Sequence, residues 1–193
     1  DALTQLLEAF VSRNATPLTD GICREGLRRA GRALAAAVAD GTDRQAREEM
    51  CIASLFGGLA LANAGLGAVH GIAGPFGGMF SAPHGAVCGR LLPVVAAANI
   101  STLRQRAPGS PALVRYQEAA GILTGNSRAE PEEGAEWLQA LCTCLSLPRL
   151  SAYGFSPQQI PDVVAKSLSS SSMRGNPVEL TADELKFILE QAR

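Results

Sequence analysis

The 193-residue chain is short of histidine, short of charge of one sign and without a clean apolar span, and each shortage excludes something. Its 17 basic side chains stand against 18 acidic ones, a net charge of −1, so it has no basic field to select nucleic acid or an anionic membrane surface. The first 16 residues lack the basic n-region of a secretory signal and carry two acids, Asp1 and Glu8, within the first eight positions. The longest apolar stretch, Cys51 to Val69, is interrupted by Ser54, Gly57, Gly58, Asn63 and Gly65. It reads as a tightly buried central helix whose small residues admit close neighbours, not as a bilayer span. The five cysteines are odd in number and scattered, which excludes a disulfide framework and reads as a reduced, cytoplasmic chain with buried thiols, none of them assigned a function. On a helix Cys142 and Cys144 point about 200° apart, too divergent for a metal pair. Histidine is the sharpest shortage. Only His70 and His84 occur, both inside the most glycine-rich segment.

What is present is helical period, with almost no alternation. Asp1 stands where it can N-cap a first helix whose apolar face is Leu3, Leu6, Leu7, Phe10 and Val11, with Asn14 ending it. A second helix runs from about Leu18 to Val38 and closes at Asp40-Gly41. Thr42 or Asp43 caps a third, which carries Met50, Ile52, Leu55, Phe56, Leu59 and Leu61. An apolar helix with a kink at Pro93 covers Cys88 to Asn99, and further helices fit 112–124, 131–146 and 158–168. Thr181-x-x-Glu184 is a capping box for a last helix over 182–192. The reading is all-α, one domain of eight to nine helices. A chain of this size buries roughly 70% of its unfolded surface and needs no disulfide or metal to fold. No strand–Gly-loop–helix dinucleotide fingerprint occurs.

Residues 65–85 break the pattern with seven glycines and two prolines. Glycine weakens a helix by up to ~1 kcal/mol relative to Ala, so its density here has to answer to a close backbone approach or to special dihedrals. With both histidines inside it, the segment reads as a site. Asp1 and Gln5, four apart, share a helix face with their roots about 6 Å apart. One carboxylate oxygen, one amide oxygen and two imidazole nitrogens make a donor set suited to a divalent first-row metal. Arg24, Arg28, Arg29 and Arg32 read as a solvated helix face.

Four stretches carry a resemblance. Asp1-Ala2-Leu3-Thr4-Gln5-Leu6-Leu7-Glu8, Ala46-Arg47-Glu48-Glu49-Met50, Asn63 to Gly71 and Ala82-Pro83-His84-Gly85 are similar to the C-terminal helical domain of the iron-containing (group III) alcohol dehydrogenases. Ser171-Ser172-Met173-Arg174-Gly175-Asn176-Pro177 resembles that domain's late pocket loop. The resemblance covers essentially the whole chain and implies a dehydroquinate-synthase-like helical domain.

In that family an aspartate and three histidines hold iron or zinc, which polarises an alcohol or carbonyl oxygen while hydride passes to or from NAD(P). By resemblance Asp1, His70 and His84 are metal ligands, the two histidines catalytic through the metal, and Gln5 stands where the first histidine is expected. Gly74 stands where many members carry a further histidine proposed as a proton relay. Phe76, Ser172 and Asn176 fall at substrate-pocket positions, with Met79 and Phe80 nearby.

The family's nucleotide-binding α/β domain, which holds most of the NAD(P) contacts, has no counterpart here. The start at Asp1 therefore reads as a cut at a domain boundary, and this domain alone is expected to be inactive. The implied partners are a small alcohol, aldehyde or ketone and a possible second copy, with no nucleic acid and no membrane. The alternatives are a degenerate all-α module without catalysis and a metal-independent relative resembling maleylacetate reductases.

Overall fold

In the computed structural model all 193 residues are described, and they form nine α-helices without a strand. In chain order these are α1 (Ala2–Val11), α2 (Pro17–Ala39), α3 (Arg44–Ala64), α4 (Ala68–Met79), α5 (His84–Arg106), α6 (Pro111–Thr124), α7 (Pro131–Cys144), α8 (Ile160–Leu168) and α9 (Ala182–Ala192). Short 3-10 turns cover Leu150–Tyr153, Pro157–Gln159 and Ser171–Gly175. Helix α1 packs against α2 and α3 on one side and reaches α5 and α6 on the other, and α4 lies between α5 and α8. The buried apolar side chains of all nine helices join one continuous core.

The helix starts follow their local chemistry. Pro17, Pro111 and Pro131 each occupy a first-turn position, where a missing N–H costs nothing. Asp43, not Thr42, caps α3 by accepting the Ala46 amide. Thr181 and Glu184 close a reciprocal box at α9, which spans the expected residues. Helix α1, only 10 residues long, is too short to be stable alone and depends on tertiary contact. Leu6 and Phe10 are fully buried in it, each contributing about 1.5–3 kcal/mol by leaving water.

Several expectations are corrected. The Cys51 to Val69 stretch is not one central helix, because the chain breaks at Gly65 (φ +68°) and α4 leaves α3 at 101°. Leu55, Leu59 and Leu61 of α3 are exposed. The face of α3 that meets the core is the small-residue one, Ala46, Ala53, Gly57, Ala60 and Ala64, since α1 and α2 approach too closely for leucine. The first helix ends at Val11, before Asn14, and Ser12 holds the turn by bonding the Ala64 carbonyl. Pro93 lies inside a continuous α5. Its ring removes the N–H that would have met the Gly89 carbonyl, and the Cys142 thiol donates to that carbonyl instead, at 3.0 Å.

Cys23, Cys88 and Cys142 are buried as expected, but Cys51 and Cys144 are exposed. Nor are the four arginines of α2 a purely solvated face. Arg24 pairs with Glu118 of α6 and Arg29 with Glu49 of α3, tying three helices together. Helix α5 is long and apolar enough to cross a membrane by composition, yet 61% of its apolar window is buried against the other helices, as in a core helix.

Candidate metal centre

Three helix beginnings converge. Asp1 precedes α1, His70 is in the first turn of α4 and His84 opens α5. Asp1 does not cap α1 with its side chain. Its Oδ2 accepts from Gln5 Nε2 at 3.0 Å, and its Oδ1 faces His70 Nε2 at 3.1 Å and His84 Nε2 at 3.9 Å. Cys88, one turn along α5 from His84, brings its Sγ to 3.4 Å from His84 Nε2 and 3.8 Å from His70 Nε2. One ligand atom from each of Asp1, His70, His84 and Cys88 lies within 4.8 Å of all the others. Cys88 is fully buried and His70 is 9% exposed, while the rings of the two histidines sit 5.4 Å apart and that of His84 is half exposed. The cluster is therefore buried at His70 and Cys88 and exposed at Asp1 and His84.

Behind it lies a support that composition does not advertise. Glu8, buried in α1, accepts the Val69 amide at 2.6 Å and His70 Nδ1 at 2.6 Å. Asn176 Oδ1 accepts the neighbouring Ala68 amide at 3.1 Å. Gly67, at the N-cap position of α4, has no side chain to cap it, so the helix borrows its caps from α1 and from the late loop. Only glycine fits there. A Cβ at residue 67 would lie 2.8 Å from Asn176 Oδ1 and 2.9 Å from Glu8 Oε1.

Because Nδ1 of His70 donates to a carboxylate, Nε2 of the neutral ring carries the lone pair, and it faces Asp1 Oδ1. Two acceptors 3.1 Å apart call for a shared cation, which is either a proton or a metal ion. Burial disfavours the charged His70 ring, but hydrogen bonds to Cys88 and Glu8 and the Glu8 charge outweigh it and lift the pKa to about 9. Burial, and then the positive His70, push the His84 pKa down. One carboxylate oxygen, two imidazole nitrogens and a thiol, with a carboxylate fixing the ring behind His70, fit a divalent first-row metal ion.

The sequence-derived residues divide accordingly. Asp1, His70 and His84 meet. Gln5 joins through Asp1, to which its amide N–H is turned, and its Oε1 lies over Gly57, where a Cβ would stand 2.7 Å from it. Phe76 is fully buried against Phe80 and Phe155. Asn176 is also part of the fold. Both its amide hydrogens go to Asn99 Oδ1 and the Val178 carbonyl, and its oxygen takes Ala68 N–H and Asn99 Nδ2, leaving no atom for a substrate. Ser172 lies half-buried on the 3-10 turn Ser171–Gly175, whose Met173 packs over Gly71. Gly74 is exposed with open space around it.

Glu8 and Cys88 were not anticipated. Their signals were positional. Asp1, Gln5 and Glu8 follow i, i+4, i+7 on one helix face, and Cys88 follows His84 by four.

The profile of the Fe-containing alcohol dehydrogenase family, C-terminal, matches residues 1–193. Alcohol dehydrogenase 4 of Saccharomyces cerevisiae is 33% identical over 193 residues, 100% of this chain and 48% of that protein. 1,3-Propanediol dehydrogenase of Klebsiella pneumoniae is 33% identical over 100% of this chain and 49% of its own length. Among solved structures, a 1,3-propanediol oxidoreductase superposes with a TM-score of 0.90 at 31% identity, covering 100% of this chain and 50% of that one. Sulfoacetaldehyde reductase from Bifidobacterium kashiwanohense, solved in complex with NAD+, superposes at 0.82 with 27% identity, covering 98% of this chain and 47% of that one. The chain spans about half the length of the curated relatives it matches. With the whole of its length matched and its helices superposing on theirs, the chain belongs to the Fe-containing alcohol dehydrogenase family, in the C-terminal part of that family.

Proposed function

We propose that the protein containing this chain is an NAD(P)-dependent alcohol dehydrogenase, or an aldehyde or ketone reductase, and that residues 1–193 are its metal-binding domain. The observation that carries the reading is the convergence of Asp1, His70 and His84 from three helix beginnings, with Glu8 fixing the His70 ring from behind. Asp1, His70 and His84 would hold an iron or zinc ion. Bound there, such an ion supplies Lewis acidity to an alcohol or carbonyl oxygen while the nicotinamide gives or takes hydride.

The chain's own residues prepare for that. Glu8 keeps the Nε2 lone pair of His70 aimed at the site. Gln5 holds Asp1 Oδ2, so that Oδ1 faces the two rings. His84 Nε2, 3.9 Å from Asp1 Oδ1, adds the second imidazole donor. Gly74 offers no side chain to relay a proton, which would leave through water or another group. NAD(P) is held mainly by a nucleotide-binding domain outside these residues, so the isolated domain is inactive. Ser172 is the remaining candidate on the substrate side.

The test is metal content and turnover of the full-length protein loaded with Fe(II) or Zn(II). Stoichiometric metal is expected, with both metal and turnover lost in His70→Ala. A protein that takes up no metal and turns over equally well with Ala at position 70 sinks the reading. A second reading, a metal-independent relative, draws on one observation. Asp1 and Glu8 flank His70 on its two nitrogens and satisfy it as an imidazolium with no metal at all. Turnover that survives a chelator together with complete metal loss selects it.

A further inference from the structure

Of the five cysteines, three are buried, and two of those are accounted for by the fold. Cys142 donates to the Gly89 carbonyl, and Cys23 packs in the core, where burial first of all pushes its thiol up to about 12. Cys88 differs. Its sulfur has no backbone partner and points at two imidazole nitrogens, His84 Nε2 at 3.4 Å and His70 Nε2 at 3.8 Å. Gln5 has its amide nitrogen on Asp1 Oδ2, and its Oε1, the only atom it could offer a metal, lies over Gly57 of α3.

A four-coordinate ion bonded at about 2.0 Å to nitrogen and oxygen and about 2.3 Å to sulfur holds neighbouring donor atoms roughly 3.3–3.5 Å apart. The observed separations around the cluster are 3.1 Å (Asp1 to His70), 3.9 Å (Asp1 to His84), 3.4 Å (His84 to Cys88) and 3.8 Å (His70 to Cys88). These four lie within about half an ångström of the tetrahedral edge, and the two remaining pairs, Asp1 to Cys88 and His70 to His84, are within 4.8 Å.

We propose that Cys88 is itself a metal ligand, completing an Asp1–His70–His84–Cys88 set in which a thiolate takes the place that Gln5 leaves unfilled. This rests on the metal-centre reading above. On metal binding the Cys88 thiol would release its proton to solvent, as would the His70 Nε2 position that faces Asp1, so that both atoms offer a lone pair. A thiolate makes the site softer than an all-nitrogen-and-oxygen one and tilts it toward zinc or cobalt over iron(II) or manganese.

Cobalt(II) substitution of the full-length protein tests it without reference to activity. The expected result is one cobalt per chain with a thiolate-to-cobalt charge-transfer band in the near ultraviolet. Cys88→Ser should abolish the band and weaken cobalt binding at least about tenfold, and Cys142→Ala should keep both. Should Cys88→Ser not fold, X-ray absorption of the zinc-loaded wild type decides, with one sulfur neighbour at about 2.3 Å expected. Stoichiometric metal with no band and no sulfur neighbour overturns the assignment and leaves the metal centre standing. Failure to bind cobalt or zinc at all overturns both.

Discussion

Glu8 Oε2 meets His70 Nδ1 at 2.6 Å, and the other oxygen of the same carboxylate holds the Val69 amide, also at 2.6 Å. One buried side chain of α1 thus both starts α4 and sets the tautomer of a proposed metal ligand. Glu8→Gln keeps the size but brings an NH2 group that must face one of these donors. If it faces His70, Nδ1 becomes the acceptor and the proton moves to Nε2, where the metal lone pair should be. Metal affinity of the full-length protein is expected to fall about 10–100-fold. The unpaired donor should cost roughly 1–3 kcal/mol of stability. Unchanged affinity by metal titration would show that Glu8 does not orient the ring.

Gly67→Ala attacks the same arrangement from the backbone. The new methyl would stand 2.8 Å from Asn176 Oδ1 and 2.9 Å from Glu8 Oε1, and both are themselves buried and bonded. Neither can retreat without dropping an α4 amide. Crowding of this kind is expected to cost about 1–3 kcal/mol in denaturant titration, together with weaker metal binding. Gly74→Ala, at an exposed position with nothing near, should be neutral or slightly stabilising by up to ~1 kcal/mol through helix propensity.

What could be read from residues alone follows a physical divide. Local chemistry was legible. Thr181 and Glu184 mark the start of α9, and Asp43 that of α3. The two scarce histidines, set in matching motifs with Asp1, pointed to the cluster. Interactions settled by long-range packing were not legible. Leu55 and Leu59 looked like the core face of α3, but a second helix can come close only on the Ala and Gly side. Asn176 does line a cavity, but nothing local shows that Asn99, 77 positions away, satisfies its amide. Glu8 drew no role because a carboxylate in an apolar helix gives no hint of the helix N-terminus it will meet. Cys88 was passed over because its thiol gains meaning only when α4 brings His70 alongside.

At the other end of α1, Arg115 of α6 donates to both oxygens of Asp20 and to the Phe10 carbonyl, at 2.8 Å for the carbonyl, while its guanidinium stacks 5.5 Å from the Phe10 ring. Asp20→Ala leaves the arginine half paired in a mostly buried place. A fully buried pair broken this way costs about 3–5 kcal/mol, and the partial exposure of Arg115 brings the expectation to about 2–3 kcal/mol. The urea midpoint should fall with little change in slope. Metal stoichiometry should be retained, which separates this structural pair from the Glu8–His70 one. A loss below about 0.5 kcal/mol would class it with ordinary surface pairs.

Glu184 gives stability a defined dependence on pH. Partial burial raises its pKa, but hydrogen bonds from the Thr181 amide and the Thr102 and Thr181 hydroxyls, with the Arg106 charge, outweigh this and hold it below the ordinary glutamate value. The Thr181 amide lies at 2.7 Å, Thr102 Oγ1 at 3.0 Å and Arg106 Nη2 at 2.8 Å, so the carboxylate joins α5 to the first turn of α9. A carboxyl whose folded pKa is depressed binds fewer protons when folded than when unfolded. Its contribution is therefore complete above the unfolded value of about 4.3 and is lost as the pH falls through the folded value. Glu184→Gln keeps a capping-box side chain and removes the charge. With the group about one-third exposed, the difference from wild type at neutral pH is expected to be about 0.5–1 kcal/mol. The two proteins should converge in urea midpoint as the pH falls below the unfolded value and through the folded one. A difference that stays constant from neutral pH down to the acid limit of the folded state would mean that the link between α5 and α9 owes nothing to the Glu184 charge.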